Sequence, residues 1–517
     1  MKPADPTRAP AVRGAAAPSP GQVMLGGAVI AAAGFAAYAN TFHAPFVFDD
    51  LASILGNPTI RSLAQAWWPP PGQGGLSVAG RPLLNFSLGV NYAVSGFDVW
   101  SYHALNLAIH LLAGLTLFGL VRRTLVRPVL AAQFGNEAWP LAAAIALLWT
   151  VHPLQTESVT YVIQRAESLM ALFFLLTFYG FVRSLDSPRP GGWRAFSVLA
   201  CALGMGAKEV AVVTPVMVLL YDRTFVSGSL REAWRQHRGQ HLALLATWVP
   251  LLGFLASTGG NRGGIFHLDD AAMWVSHGLT QFEAVTRYFW LTIWPHPLVI
   301  DYGEIPPPAL GQAFGWALPV LGLAGLTLVA WWCWPAAGFL GAWVFLILAP
   351  TCVLPATLQI IVEHRMYLPL AGIVALVVAG AYRLAGRRIL VVFLALAVGA
   401  AWLTARRNEA YRSELSLWGD TVANRPDNDH ARLNFGLALM KAQRPAEAAT
   451  QFEAAVRLQP GSLQAHNNLG NALLVAGRID EAIAQYELVL QARPNERGVL
   501  QNLQQARALK ESSRPSP

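Results

Sequence analysis

Apolar segments of membrane-spanning length alternate with short polar loops as far as residue 405 of this chain, where the pattern ends. About 20 residues of helix, rising 1.5 Å each, cross the apolar core of a bilayer. The pattern therefore predicts an all-α, polytopic membrane protein with about eleven spans. The predicted spans cover residues 22–41, 102–121, 139–151, 167–182, 195–207, 210–222, 241–258, 311–332, 337–354, 367–382 and 389–405.

Ionisable residues interrupt two of these apolar regions. One carries Lys208 and Glu209 at its centre between basic flanks, which favours a hairpin over a single long crossing. The other, at 139–182, carries a polar tip that runs from His152 to Arg165. Ionisable groups held at membrane depth are costly, so both tips are candidates for function.

The composition supports a membrane protein, with 54% apolar and 13% charged residues and a mean hydropathy of +0.40. These values exclude an ordinary soluble globular protein. The net charge of +8 does not indicate a nucleic-acid partner, because most basic residues outside the tail lie in short loops between spans. Residues 273–297 contain flanking tryptophans and a Glu283–Arg287 pair, and are predicted to form an interfacial helix.

The basic loops lie on one side of the membrane if residues 1–21, expected to be disordered, are cytoplasmic. Residues 22–41 end in a sequence that resembles a signal-peptide cleavage site, but their length favours a retained anchor. Either interpretation places the loop 42–100 outside the cytoplasm. Arginine far outnumbers lysine, which we take as the codon bias of a bacterium. We therefore expect an inner-membrane protein whose C-terminal tail is periplasmic.

The tail carries a 34-residue repeat, in which Pro426, Pro460 and Pro494 share one position. This period is that of tetratricopeptide (TPR) repeats, pairs of helices that bind other proteins. The repeats are predicted at 426–459 and 460–493 within a domain at 406–511, with a capping helix at 495–511 and a tail at 512–517. Asn434 and Asn468 are predicted on the concave, peptide-binding face; ordinary packing is the equally favoured alternative.

Candidate chemistry begins with Asp49 and Asp50, two adjacent acids that follow an aromatic run just after the first span. A carboxylate there can serve as a general base, and a neighbouring acid raises its proton affinity; a helix cap is the alternative. Basic groups at the polar tips can hold the phosphate of a lipid carrier, or merely form salt bridges between helices. The sequence shows no phosphate-binding loop, dinucleotide fingerprint or zinc spacing, so we expect no cofactor and no metal.

Six short segments, in their order and followed by the repeats, resemble the transmembrane-and-TPR (TMTC) family of O-mannosyltransferases, which have the C-type glycosyltransferase fold. The segments are FVFDDLASILGN at 46–57, RPLLNFSLGVNY at 81–92, HALNLAIH at 103–110, HPLQTESVTYVIQRAE at 152–167, KE at 208–209 and EHRMYLP at 363–369. The resemblance covers residues 22–405 as the glycosyltransferase domain. It implies transfer of a sugar from a polyprenyl-phosphate carrier to a hydroxyl group of protein, outside the cytoplasm.

The resemblance also implies roles for individual residues. Asp49 or Asp50 would deprotonate the acceptor, and inversion at the sugar would follow from a single displacement. The residues expected to bind the carrier phosphate are Arg165, Lys208, His364 and Arg365, and the supporting residues are Arg81, His152, Glu157 and Glu209. Some relatives with this fold use a divalent metal near the first-loop acids, although no further carboxylates cluster there in this sequence. Two other functions compete: a TPR scaffold for envelope proteins without enzymatic activity, and a lipid-linked glycan ligase or polymerase.

Overall fold

A computed structural model describes residues 19–68, 77–258, 271–306, 308–353 and 360–512. The described residues contain helices and turns but no strand, so the predicted all-α fold class is confirmed. The chain divides into two compact units. The first, here the membrane unit, comprises residues 1–296, 307–358 and 363–409, and the second, here the repeat unit, comprises residues 297–306, 359–362 and 410–517.

The membrane unit is a bundle of helices with buried apolar faces. Its helices are α1 Pro20–Tyr38, α2 Leu63–Trp67, α3 Pro82–Ser95, α4 Trp100–Leu125, α5 Pro128–Phe134, α6 Ala138–Thr150, α7 Thr156–Thr160, α8 Arg165–Asp186, α9 Pro190–Ala207, α10 Thr214–Asp222, α11 Leu230–Leu245, α12 Trp248–Ser257, α13 Ala271–Ile293, α14 Leu310–Cys333, α15 Pro335–Val353, α16 Pro369–Ala385 and α17 Ile389–Asn408. The first span begins at a capping box, in which Ser19 and Gln22 bond each other's backbone N–H groups.

Eight helical stretches among the described residues are long and apolar enough to cross a membrane, so the predicted count of eleven is not confirmed. The difference has physical causes. Helix α6 has only 13 residues, and α9 begins with a polar turn that contains Arg194. One stretch, Pro369–Arg412, contains both α16 and α17. The chain is a multi-pass membrane protein whose shorter helices pack between longer ones.

The helices are interrupted where the sequence places the polar tips. Lys208 has an extended backbone, with φ −156° and ψ 144°, which ends α9 and starts a short turn before α10. Between α6 and α8 the chain runs through short helical turns from Pro153 to Gln164. This second tip is fixed to the segment before α16, because the Trp149 indole donates to the Tyr367 carbonyl at 2.8 Å. Both polar tips are therefore held by the bundle.

The repeat unit contains a stack of helices with its own apolar core. Its helices are α18 Glu414–Asn424, α19 Asp429–Lys441, α20 Pro445–Leu458, α21 Leu463–Val475, α22 Ile479–Ala492 and α23 Arg497–Ser512. The unit also includes the segment 297–306, from between α13 and α14. The Asp301 carboxylate bonds the His430 ring at 2.5 Å, and the Asp301 carbonyl accepts from the Asn428 amide at 3.0 Å.

The equivalent glycines Gly436 and Gly470 are required by close packing. A Cβ atom on Gly436 would lie 2.5 Å from the ring of Phe452, which is fully buried. We expect Gly436→Ala to lower the unfolding free energy of the repeat unit by about 1–3 kcal/mol, because the ring has no space to move. Chemical unfolding followed by circular dichroism measures this change. Gly461→Ala is the matched control, since a Cβ there meets no atom within 4 Å. Equal losses in the two variants would contradict the packing argument.

Candidate active site

The two adjacent acids of the first loop lie in different environments. Asp50 is fully buried, and its carboxylate accepts the backbone N–H groups of Val47 at 3.1 Å and Ile163 at 2.8 Å. Asp49 is only half-buried, and its backbone N–H donates to the Tyr161 hydroxyl at 2.8 Å. Asp50 thus fastens the loop to the polar tip before α8, whereas Asp49 keeps part of its surface open.

Burial distinguishes Asp50 further, since it raises the pKa of this carboxyl to about 8, and the nearby Asp49 adds to the effect. At neutral pH Asp50 is therefore largely protonated. The preceding residue, Phe48, has a φ of +50°, a backbone conformation that residues other than glycine rarely adopt. Strain of this kind persists only where surrounding contacts impose it, and it is often found at functional sites.

The Tyr161 hydroxyl holds the turn at Asp49 by accepting its backbone N–H, and replacing Tyr161 tests this hydrogen bond. We expect Tyr161→Phe to lower the unfolding free energy by about 1–3 kcal/mol, because the Asp49 N–H loses its acceptor. Unfolding in detergent followed by tryptophan fluorescence measures the effect. Tyr179→Phe is the control, because the Tyr179 hydroxyl makes no hydrogen bond to any described residue. A Tyr161→Phe variant as stable as the control would show that this contact is unimportant.

Two of the predicted basic groups form ion pairs across helices. Lys208 bonds the carboxylate of Glu167, and both side chains are buried. Arg81 holds Glu209 in a bidentate contact, with N–O distances from 2.9 to 3.2 Å. The first pair joins the α9–α10 break to α8, and the second joins it to the start of α3. Glu209 remains 28% exposed, so the second pair is open to exchange with another anion.

The third polar group contains Glu157 and His364. The Glu157 carboxylate accepts the backbone N–H of His364 at 2.9 Å and contacts its ring Nδ1 at 2.8 Å. Burial favours the neutral forms of both groups: it raises the pKa of Glu157 to about 7 and lowers the pKa of His364 well below its usual range. Phosphate binding by His364 stays a prediction.

These groups share one electrostatic environment. The positive charges of Lys208, Arg365 and Arg81 all contribute to the lowered pKa of His364, after burial. The carboxylates of Asp49, Asp50 and Glu157 similarly add to burial in raising the pKa of Tyr161. Glu157 belongs to both sets, because it contacts the His364 ring at 2.8 Å and its charge also acts on Tyr161, so it connects the acidic turn to the basic groups. We call the set formed by Asp49, Asp50, Arg81, Glu157, Tyr161, Glu167, Lys208, Glu209, His364 and Arg365 the polar cluster.

Arg165, which is predicted to bind the carrier phosphate, is surrounded by acceptors of the protein itself. Its guanidinium is fully buried and donates to the side chains of Asn106 at 2.5 Å and Asn91 at 2.6 Å. Further bonds go to the Ser87 and Tyr102 carbonyls at 3.1 and 3.0 Å. With these acceptors around it, the group ties α3 and α4 to the start of α8. Phosphate binding by Arg165 stays a prediction.

The remaining predicted residues make local contacts. His152 caps the turn that follows it, by accepting the Leu154 N–H at 3.2 Å. In the repeat unit, the Asn434 amide donates to the His430 carbonyl at 2.9 Å, and Asn468 is half-buried. Peptide binding by the two asparagines stays a prediction. So does the expectation that the polar cluster works without a metal.

Sequence reasoning placed Glu167 at a polar tip without a role, and it missed Tyr161. Tyr161 and Glu167 lie in the segment 152–167, but neither was assigned a role there. Their spacing in the sequence gives no hint of their partners, because the first loop and Lys208 approach from distant parts of the chain. A lysine that is buried at a polar tip needs a carboxylate partner, and this requirement would have pointed to Glu167.

The chain is similar in sequence to several known proteins. A family model described as tetratricopeptide repeat matches residues 433–497. Protein O-mannosyl-transferase TMTC2 of Homo sapiens is 27% identical over 57% of this chain and 37% of its own length. The Drosophila melanogaster Tmtc2 protein is 32% identical over 36% of the chain and 20% of its own length. Protein O-mannosyl-transferase TMTC1 of Homo sapiens is 26% identical over 84% of the chain and 55% of its own length.

The chain thus covers between 20% and 55% of the lengths of these three relatives. No solved structure matches it. The three relatives are all described as protein O-mannosyl-transferases, and the tetratricopeptide match lies in the repeat unit. Together with the apolar helices, these matches show a multi-pass membrane protein with tetratricopeptide repeats whose sequence is similar to the TMTC proteins.

Proposed function

We propose that the protein is a membrane glycosyltransferase that moves a hexose, mannose by likeness to its relatives, from a polyprenyl-phosphate carrier to a protein hydroxyl. The acceptor would be a serine or threonine on the extracytoplasmic side of the membrane. The observation that carries the proposal is that Glu157 connects an acidic turn to a group of cations. Its charge acts on Tyr161, which accepts the Asp49 backbone N–H, and its carboxylate contacts His364, on which the charges of Lys208, Arg365 and Arg81 act. A base and an anion-binding group are the two functions that transfer from a lipid phosphate requires.

In this mechanism the oxygen of the acceptor hydroxyl attacks the anomeric carbon of the sugar, while Asp49 accepts the proton of that hydroxyl. The bond from that carbon to the phosphate oxygen breaks, and the phosphate leaves with the electron pair. Attack from the face opposite the phosphate inverts the configuration of the sugar. Asp50 is largely protonated at neutral pH, so it does not compete for the proton and instead fixes the turn.

The leaving phosphate would meet Arg365, Lys208 and Arg81. Arg81 is well suited to it, because its planar guanidinium already holds a carboxylate in a two-point contact that a phosphate can replace. Lys208 contributes positive charge from a buried position, where electrostatic effects are stronger than in water. Charge placed in advance at the departing group stabilises the transition state.

The repeat unit is proposed to bind the acceptor protein or a partner that delivers it. Tetratricopeptide stacks are protein-binding modules, which supports this role. The distribution of basic loops supports an extracytoplasmic position for the polar cluster and the repeats, in the inner membrane of a bacterial cell. The lipid-linked donor is a substrate of the reaction, and we propose no cofactor.

Glycan mass spectrometry of envelope proteins tests the proposal. Cells that lack the gene would be complemented with the full chain or with a chain ended at residue 412. We expect hexose-modified serine and threonine peptides only with the full chain, if the repeats select the acceptor. Modification with both chains would assign acceptor choice to the membrane unit. The absence of any hexose-modified peptide with the full chain would contradict protein glycosylation and favour the scaffold or the glycan ligase.

A further inference from the structure

A second group of ionisable side chains lies away from the polar cluster, where α10 ends and α11 passes. Asp222 is fully buried, and its Oδ2 atom lies 2.8 Å from His237 Nδ1 and 2.8 Å from His241 Nε2. The three atoms all lie within 4.8 Å of one another. Two imidazoles and a carboxylate thus converge on one point without belonging to the proposed transferase chemistry.

The backbone departs from regular helix on both sides of this point. Directly after Asp222 the chain forms a π-helical turn, Arg223–Ser227. In α11, His237 has φ −123° and ψ 21°, values outside the helical range. Such π-helical turns often mark functional sites. A separation of four residues places two side chains on one face of a helix, and the distortion at His237 adjusts its ring toward Asp222.

Neighbouring groups fix the three side chains. The Ser227 hydroxyl donates to the other carboxylate oxygen of Asp222 at 2.7 Å. The ring of Phe181 packs 5.8 and 6.0 Å from the two imidazoles, and Trp234 lies parallel to the His241 ring at 6.3 Å. His241 Nδ1 is buried without a hydrogen-bond partner among the described residues, so the contact of Nε2 with Asp222 is what orients this ring. The aromatic wall excludes water on one side.

We propose that Asp222, His237 and His241 bind a divalent transition-metal ion of the zinc class. Imidazole nitrogen and carboxylate oxygen are the ligands that such ions take in proteins, and three protein ligands leave one position for water. The His237 side chain is 14% exposed, which provides the side from which water completes the coordination. Ser227 has the place of a group that orients the ligating carboxylate.

The bound ion would tie the end of α10 to α11, elements otherwise separated by the π-helical turn. The sequence contains no pairs of cysteines and histidines at zinc-finger spacings. His237 and His241 are four residues apart on one helix, which is a spacing found in metal sites. The spacing alone does not indicate a site, because the third group, Asp222, is placed beside the histidines only by the fold. This site does not include the first-loop acids Asp49 and Asp50.

The test uses the full chain with a purification tag that contains no histidine. The protein in detergent is washed with a chelator, incubated with Zn²⁺, freed of excess ion and analysed for zinc by mass spectrometry. We expect about one equivalent per chain for the wild type, since a preformed three-ligand site holds one ion. His237→Ala and Asp222→Asn should lose it. His466→Ala is the matched control, because it removes a histidine of the repeat unit and should retain the zinc.

Cobalt provides a second measurement that does not depend on the variants folding. Co²⁺ bound by two imidazoles and a carboxylate gives visible ligand-field absorption, and we expect these bands in the wild type and their displacement by Zn²⁺. A wild-type protein with no bands, or with no more zinc than the His237→Ala variant, overturns the proposal. Loss of zinc from His466→Ala as well would show that uptake is unspecific and would also overturn it.

Discussion

Asp49→Asn is expected to lower sugar transfer by about 10²–10⁴-fold, the contribution that a positioned general base makes to proton transfer. The amide keeps the size of the side chain and cannot accept the proton of the acceptor hydroxyl. The backbone N–H of residue 49 still donates to Tyr161, so the turn should keep its shape. Transfer is measured with the purified chain in lipid nanodiscs, from a synthetic polyprenyl-phosphate mannose to protein acceptors identified by glycan mass spectrometry.

Asp98→Asn is the matched control, because Asp98 is an exposed acid in the same loop and should be dispensable. Asp50→Asn tests whether Asp50 has a different role from the proposed base, Asp49. Asp50 accepts two backbone N–H groups, so its amide variant should show a loss of stability that Asp49→Asn does not. Wild-type transfer by Asp49→Asn would remove this residue as the base. Equal loss of transfer in Asp98→Asn would point to general disturbance of the loop.

Lys208→Met is expected to reduce both stability and transfer. The substitution leaves the Glu167 carboxylate buried without its partner, which costs about 3–5 kcal/mol. Replacing both members, as Lys208→Met with Glu167→Leu, should restore most of the unfolding free energy, because a well-packed apolar pair can substitute for a buried ion pair. Detergent unfolding and the transfer assay are measured on the same preparations.

The double variant decides whether the lysine has a role in transfer. Transfer that stays low after stability returns would show that the charge of Lys208 is needed at the departing phosphate. Transfer that returns together with stability would show that the pair only holds helices together. Lys441→Met is the control for a lost lysine, since Lys441 forms a salt bridge to Glu414 in the repeat unit but is 63% exposed, and little change is expected.

The elements of this protein were predictable where a local pattern determines them. Apolar length predicted the spanning helices, and the 34-residue period predicted the helical stack. The break at Lys208 was predictable because a charge in the middle of an apolar segment is costly. The number of spans was not, because short helices such as α6 can be shielded by their neighbours instead of crossing the bilayer alone.

The composition of the site was less predictable than its location. The sequence indicated that Asp49, Lys208 and Glu157 belong to one region, but it did not distinguish an exposed carboxylate from a buried one at adjacent positions. The state of His364 depends on burial beside Glu157, and the position of Arg165 depends on acceptors from α3 and α4. Such contacts join residues far apart in the chain, and no local pattern contains them.

The segment 297–306 gives the repeat unit a property that matters for protein engineering. Because Asp301 bonds His430 and Asn428, the C-terminal helices fold around a strip of chain that is synthesised more than a hundred residues earlier. Ending the chain at residue 412 therefore strips this segment of its partners as well as deleting the repeats. Transplanting the repeats onto another protein would likewise require both pieces. Asp301→Asn weakens the contacts of the segment 297–306 but leaves the repeats in place. This substitution therefore distinguishes the loss of these contacts from the loss of the repeats.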